Sequence, residues 1–231
     1  MNGSIRLGVV AVIGLGLATA MAEDASAQGR GRGFGRGFPR SKADLAAIEP
    51  VQAELKLTDE QKTQAEEIGD QLRSDRRDLF QGGFGRFSEI RGEMDELNRK
   101  ASDEVMQLLD ESQQKRLLGI AIQANGSTEL SDPAVVEQLQ LSDEQTSKLA
   151  EVESANSQTM ADMFADAGQL SRDEWRSKAR ELRDKADEER LAVLTDEQKA
   201  QFKQMGGEPF EIDWSQFRGR FGRGGRGGEN N

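Results

Sequence analysis

The sequence predicts an all-α protein of two tandem helical hairpins with short capping helices, flanked by disordered Gly/Arg-rich tails. Three observations support this prediction. Apolar residues recur at steps of three and four, helix-capping sequences recur along the chain, and no segment alternates apolar and polar residues as a strand would. With 35% hydrophobic and 32% charged residues, the chain is expected to form one modest globular body with a thin core.

The first 27 residues have the pattern of a secretory signal. Arg6 supplies a positive charge, residues 7–17 are apolar, and small residues follow. Even extended to Ala22, the apolar stretch has only 16 residues, whereas a bilayer span needs about 20. We therefore predict a signal peptide at 1–27, cleaved after Ala27 in preference to Ala22, and a periplasmic or extracellular mature protein.

An acidic body lies between two basic ends. Residues 43–216 carry a net charge of −18, whereas 28–42 and 217–231 together hold nine basic residues and one acidic residue. Glycine at the density found in these ends does not sustain a helix or strand, so 28–43 and 208–231 are predicted to be disordered. Their candidate polyanion-binding residues are Arg30, Arg32, Arg36, Arg218, Arg220, Arg223 and Arg226.

The body contains an internal duplication. Residues 51–61 match 135–145 at six of eleven positions with an offset of 84, and 107–117 align with 192–202 at an offset of 85. Two regions that recur in the same order at the same spacing indicate a repeat. The predicted units are residues 44–126 and 127–207.

Each unit is predicted to contain two long helices joined by a glycine-containing turn. Residues 81–87 break the first hairpin and Gly168 breaks the second, while Pro133 is placed to begin a short helix. The apolar stripes of the first hairpin are Ala65, Ile68, Leu72 and Leu79, then Ile90, Met94, Leu97, Ala101, Val105 and Leu108. Those of the second are Leu149, Val152, Met160 and Met163, then Trp175, Ala179, Leu182, Ala186 and Val193.

Four near-copies of one pentapeptide mark helix starts: LTDEQ, LDESQ, LSDEQ and LTDEQ. A hydroxyl or Asp side chain followed three residues later by Gln forms a capping box, in which each side chain bonds to the other residue's backbone N–H. Capping alone accounts for these residue types. The predicted motif residues are Leu57, Thr58, Gln61, Leu109, Asp110, Gln113, Leu141, Ser142, Gln145, Leu194, Thr195 and Gln198.

This pentapeptide resembles the LTxxQ motif of the Spy/CpxP family of periplasmic, ATP-independent chaperones and envelope-stress proteins. Family members usually carry two copies, whereas this chain carries four, so the resemblance covers both units. It implies binding of unfolded or partly folded envelope proteins on a concave helical surface without nucleotide. It also implies a homodimer, or a monomer in which the duplication supplies the pairing. Two departures are the acidic body, where the family's cradle is often basic, and the absence of the His that its metal-responsive members use.

Composition argues against an enzyme and against a thiolate or imidazole metal site, because the chain has no Cys and no His. No cofactor is predicted. A client-binding module is the first interpretation, with candidate residues Phe80, Phe84, Phe87, Met160, Met163 and Phe164. The alternative for these residues is that they close the hairpin ends.

The runner-up function is an envelope scaffold or polyanion-binding protein acting through its tails. Arg-Gly segments with interleaved Phe bind polyanions through charge and stacking. Behind a signal peptide, anionic envelope polymers are the expected partners. A further alternative is that the basic tails associate with the acidic body of the same protein.

Overall fold

The computed structural model describes residues 41–80, 87–165 and 170–211. Within these ranges the chain forms α-helices and one 3₁₀ helix and contains no β-strand. The predicted all-α fold is therefore confirmed. The predicted signal peptide lies outside the described residues, as do both glycine-containing breaks except Phe87.

The two units contain equivalent elements in the same order. The first unit comprises α1 (Lys42–Ala46), α2 (Glu49–Glu54), α3 (Asp59–Phe80), α4 (Phe87–Leu108) and α5 (Glu111–Asn125). The second unit comprises the 3₁₀ helix (Gly126–Ser131), α6 (Pro133–Gln138), α7 (Asp143–Ala165), α8 (Arg172–Ala192) and α9 (Asp196–Met205). The 3₁₀ helix thus occupies the position that α1 has in the first unit.

The long helices pair as two hairpins, α3 with α4 and α7 with α8. In the first unit α1 packs across both helices of the hairpin, and in the second unit the 3₁₀ helix does the same. Between the units, α4 contacts α7 and α5 contacts α9. The short segments therefore cover one side of each hairpin.

Two clusters of buried apolar side chains form the core, one in each unit. Helix α5 contributes to both, because Leu117 and Ile120 lie in the first cluster while Leu118 and Ile122 lie in the second. A helix that is apolar on two sides has to be enclosed on two sides. Helix α5 therefore joins the two cores.

The connection before each hairpin has the same unusual backbone in both units. Lys56 and Gln140, which are 84 residues apart, have positive φ angles of 52° and 50°. Non-glycine residues seldom adopt this left-handed conformation. Its recurrence at equivalent positions supports the duplication read from the sequence.

The ordered body extends past the predicted boundaries at both ends. Ser41 caps α1 through a capping box with Asp44, and Lys42 and Ala43 are buried in that helix, so the body begins before residue 44. At the other end, the Phe210 backbone N–H donates to the Gln123 side chain at 2.8 Å. The ring of Phe210 packs against the core of the first unit.

Candidate functional site

All four pentapeptides form capping boxes. In the first, the Gln61 backbone N–H donates to Thr58 Oγ1 at 3.2 Å, and the Thr58 backbone N–H donates to Gln61 Oε1 at 3.0 Å. The boxes at Asp110, Ser142 and Thr195 have the same reciprocal geometry. At Asp110, the backbone N–H of Gln113 lowers the pKa of the carboxyl group below its ordinary value.

The leucines of the pentapeptides anchor the helix starts to the core. Leu57, Leu109 and Leu194 are buried, whereas Leu141 is half-buried against the core of the second unit. The motif therefore combines a buried apolar anchor with a local hydrogen-bonded cap.

The two glutamines of each unit bond to each other across the hairpin base. Gln61 Nε2 donates to Gln113 Oε1 at 2.9 Å, and Gln113 Nε2 donates to Gln61 Oε1 at 3.2 Å. Gln61 also donates to the Leu108 carbonyl at 2.7 Å, and Gln113 donates to the Leu55 carbonyl at 3.3 Å. We call this reciprocal pair the amide clasp.

The second unit has an equivalent amide clasp formed by Gln145 and Gln198. Gln145 Nε2 donates to Gln198 Oε1 at 2.7 Å and to the Val193 carbonyl at 3.0 Å. Gln198 Nε2 donates to the Leu139 carbonyl at 3.2 Å. Both donor hydrogens of each amide are used within the protein, so the motif glutamines hold the scaffold together and offer no free donor to a ligand.

Each unit also contains an arginine cluster that the sequence did not reveal, around the half-buried Arg76 in the first unit and the buried Arg190 in the second. In the first unit, Arg76 contacts both carboxylate oxygens of Asp44, at 2.9 and 2.8 Å, and its Nε donates to Asn98 at 2.9 Å. In the second unit, Arg190 donates to Glu153 at 2.7 Å and to Asp187 at 3.2 Å. The Arg190 side chain is 4% exposed.

A third polar group lies where the two units meet. Lys42 of α1 forms an ion pair with Asp132, the residue that caps α6. Nearby, Asn125 Nδ2 donates to Glu129 Oε1 at 2.7 Å. Burial raises the pKa of Glu129 above its ordinary value, and repulsion from Asp132 adds to this shift.

The structure corrects one of the proposed client-binding residues. Met163 is 9% exposed and belongs to the buried residues, because its position on α7 continues the apolar stripe into the hairpin interface. Phe80 and Met160 are half-buried. Phe84 and the side chains of Phe87 and Phe164 lie outside the described residues, as do all seven candidate polyanion-binding arginines.

The first hairpin carries two open depressions that the sequence analysis missed. One, of about 310 Å³, is lined by Gln64, Glu67, Ile68, Glu104, Gln107 and Leu108. The other, of about 400 Å³, is lined by Leu79, Gly92, Glu93, Glu96 and Leu97. We call the surface of α3 and α4 formed by these eleven residues the open face. Its leucines and Ile68 had been assigned to core stripes, and all of them are half-buried.

The open face points away from α1. On α3, a Cβ added at Gly69 would lie 2.6 Å from Ala47 Cβ, so Gly69 faces the segment that joins α1 to α2. Glu67 is two residues away, which places it about 200° around the helix. On α4, Asn98 bonds to Arg76, which contacts Asp44 of α1, so Asn98 is on the α1 side. Glu96 is two residues from Asn98 and is therefore also about 200° around its helix. The short helices therefore cover one side of the hairpin, and the open face is on the other.

Negative charge surrounds the half-buried apolar groups of the open face. Glu67, Glu93 and Glu104 are exposed, and none of the three forms an ion pair with another described residue. Glu96 pairs with Arg99 at 2.6 Å. An apolar strip bordered by unpaired carboxylates suits a ligand that carries apolar and basic side chains together.

The equivalent surface of the second hairpin differs in charge. Lys148 replaces Gln64 and Lys178 replaces Glu93, while the buried Met163 replaces Leu79. Lys148 pairs with Glu144 at 2.7 Å. Glu151, Glu181 and Glu189 still stand at the positions equivalent to Glu67, Glu96 and Glu104, so the second surface keeps carboxylates but is less acidic than the open face.

Among the described residues, no three side chains of the metal-ligating types come together as an ion site. In the same part of the chain, none of the helices has both the length and the apolar character required to cross a bilayer.

Comparison with known proteins adds no relative to this description. Neither the protein-family models nor the curated proteins nor the solved structures include a match to this chain.

Proposed function

We propose that this chain is an exported, non-enzymatic, chaperone-like protein that holds unfolded or partly folded envelope proteins without ATP. The proposed client segments carry basic and apolar side chains close together. The proposed binding surface is the open face of the first hairpin. The resemblance of the four pentapeptides to the LTxxQ motif supports the class of function, and the chemistry of the open face supports the class of client.

The observation that carries the proposal is the combination of half-buried apolar groups with unpaired carboxylates on the open face. Ile68 and Leu97 pack against the core on one side and are accessible on the other, and the half-buried Leu79 lines the same surface. A shallow, open surface of this kind favours weak binding of extended segments of variable sequence. Weak, adaptable binding is what a holding chaperone requires.

Gly92 offers a way to test this surface without disturbing the fold. A Cβ added at Gly92 would meet no atom within 4 Å, so a larger side chain fits there. Gly92→Arg places a long cationic side chain beside Glu93 and Glu96, where it occupies the depression as a basic client would. Replacing a helix-interior glycine by Arg also favours the helix by up to about 0.8 kcal/mol, so the variant is expected to fold.

The matched control is Ser177→Arg, which places the same side chain at the equivalent position of the second hairpin. The assay is suppression of light scattering by reduced lysozyme, a basic client, and by reduced α-lactalbumin, an acidic one. We expect the parent and Ser177→Arg to protect lysozyme better than α-lactalbumin and Gly92→Arg to lose protection of lysozyme.

Equal protection by Gly92→Arg and Ser177→Arg would contradict the proposed surface. Binding that depends on the tail arginines and disappears at high salt would instead support a polyanion-binding function. Contacts between arginines and a polyanion release counterions, so added salt weakens them. No protection of either client by the parent chain would contradict the chaperone-like function itself.

A further inference from the structure

We propose that residues 212–231 of this chain bind the open face of its own first hairpin and compete there with clients. This inference shares its surface with the proposed function and adds a regulation to it. The argument depends on where this segment starts, on its chemistry, on its length and on the difference between the two hairpins.

The chain leaves the body on the side of the first unit. After α9 of the second unit, the carbonyl of Glu208 accepts from Arg116 Nη1 at 2.8 Å and from Gln123 Nε2 at 2.9 Å. Two residues later the ring of Phe210 lies 5.8 Å from the Arg116 guanidinium carbon and packs against the first core. Residues 206–210 thus bring the chain end back to the unit that carries the open face.

The segment and the open face have complementary chemistry. Residues 212–231 contain the aromatic residues Trp214, Phe217 and Phe221 and the basic residues Arg218, Arg220, Arg223 and Arg226. Aromatic and guanidinium groups alternate at intervals of a few residues, as do the apolar positions and carboxylates of the open face. Aromatic rings suit the depressions at Leu79 and Leu97, and the guanidinium groups suit the unpaired carboxylates.

The segment is long enough to reach the whole surface. Its 20 residues span at most about 66 Å when extended. Helix α3 has 22 residues and is therefore about 33 Å long. The extended segment is thus about twice as long as α3.

The second hairpin is a poorer site for the same segment. Lys178 and Lys148 replace Glu93 and Gln64, and the buried Met163 replaces Leu79. An arginine-rich segment would therefore meet these two lysines beside the three remaining carboxylates Glu151, Glu181 and Glu189, and be attracted less strongly. The charge difference between the hairpins directs the segment to the first one.

Attachment to the body makes even a weak contact significant. A tethered segment is present at an effective concentration on the order of 1 mM. If the untethered segment bound with a Kd of about 100 μM, it would occupy the open face and weaken client binding about tenfold. Removal of residues 212–231 is thus expected to tighten client binding by about that factor.

The test uses thiols introduced into the full-length mature chain, which has no cysteine of its own. Gly92→Cys combined with Gly222→Cys reports the proposed contact through a short bismaleimide. Ser177→Cys combined with Gly222→Cys is the matched control on the second hairpin. We expect cross-linking within one chain for the first pair and little for the second, with the yield falling as salt screens the charges.

Charge exchange provides a second measurement. Glu93→Lys is expected to lower the yield of the Gly92 pair by about fivefold, near the upper range for one exposed ion pair, and Lys178→Glu is expected to raise the yield of the Ser177 pair. Equal yields from both hairpins, or cross-links only between two chains, would overturn the inference.

The failure of this inference can be told apart from the failure of the proposed function. If Gly92→Arg loses protection of lysozyme but the pair Gly92→Cys and Gly222→Cys forms no cross-link, the proposed client surface stands and the proposed regulation is contradicted. If the cross-link forms specifically but Gly92→Arg protects lysozyme as well as the parent does, the intramolecular contact stands and the proposed client surface is contradicted.

Discussion

The interior beneath the first short segment of each unit, α1 or the 3₁₀ helix, is apolar in one unit and ionic in the other. In the first unit, Ala43 and Val105 are fully buried, and Gly69 lies so close to Ala47 that no room is left for a Cβ. In the second unit, the equivalent positions hold Ser127, Arg190 and Glu153, which form the buried arginine cluster with Asp187. Close apolar packing in one unit thus corresponds to an ion-pair network in the other.

At the arginine cluster of Arg76, in contrast, the hydrogen-bonded polar group belongs to the first unit. Asp44, Arg76 and Asn98 bond to one another in the first unit, whereas Thr128, Met160 and Arg183 stand at the equivalent positions of the second. The capping boxes and amide clasps, in contrast, are the same in both units. The comparison shows that the duplicated scaffold depends on its capped helix starts and clasps, while its interior tolerates either apolar or ionic contacts.

The largest expected effect comes from breaking the arginine cluster of the second unit. Arg190→Ala removes the main cationic partner of Glu153 and Asp187, which keep only Arg91 at 3.9 Å and the Ser127 hydroxyl, respectively. It is expected to cost about 3 kcal/mol, at the lower end for a broken buried pair because Asp187 is half exposed. Urea unfolding measures the change. Glu153→Met with Arg190→Met should restore stability to within about 1 kcal/mol of the parent. A double variant less stable than Arg190→Ala would show that the second unit cannot accept apolar packing at this place.

The amide clasps should contribute equally in both units. Gln61→Ala and Gln145→Ala each remove one capping bond, both bonds of the reciprocal glutamine pair and one bond to a backbone carbonyl, and each is expected to cost about 2 kcal/mol. The control Gln64→Ala, one turn along α3, should change stability by less than about 0.5 kcal/mol. A difference above about 1 kcal/mol between Gln61→Ala and Gln145→Ala would mean that the two clasps are not equivalent.

Two glycines of the first hairpin should respond in opposite directions. Gly69→Ala forces a methyl group to within 2.6 Å of Ala47 Cβ, and we expect a net loss of about 1 kcal/mol after the gain in helix propensity. Gly92→Ala meets no atom within 4 Å and should gain about 0.5–1 kcal/mol. Thermal unfolding of both variants checks the signs. Stabilisation by Gly69→Ala would show that the close approach of this segment to α3 is not tight.

The smallest effect concerns Glu129, a residue of the second unit next to the Lys42–Asp132 pair. Its pKa is raised from its ordinary value of 4.5 by burial, so the folded state binds this proton more tightly than the unfolded state. Stability contributed by the protonated form is therefore lost as pH rises from about 4.5 through the raised value. Glu129→Gln, which keeps an acceptor for Asn125, should flatten this part of the stability profile relative to the parent. An unchanged profile would show that Glu129 titrates normally.

The local part of the fold was accessible from the sequence because it depends on residues within one turn. Thr195 and Gln198, for example, are three residues apart, and helix geometry alone brings each side chain to the other's backbone N–H. The pairing of Gln61 with Gln113 was not accessible, because the two residues are joined only by the folding of the hairpin. The contact of Asp187 with Ser127, 60 residues away along the chain, was not accessible for the same reason.

The open face was missed for a related reason. Periodicity identified Ile68, Leu79, Leu97 and Leu108 as apolar stripe residues, but it does not say which side of a stripe a neighbouring helix covers. The short α1 covers one side of the first hairpin and leaves the other open. Periodicity likewise left two interpretations open for Met163, client binding or closure of the hairpin end, and its burial supports the second.

The all-α class, the duplication, the helix starts and the acidic character of the body follow from the amino-acid sequence, because capping, periodicity and charge depend on residues close together along the chain. The amide clasps, the arginine clusters, the return of Phe210 to the first unit and the identity of the open face follow only from the packing of the helices. These depend on side chains that are tens of residues apart, whose contacts exist only once the helices have packed.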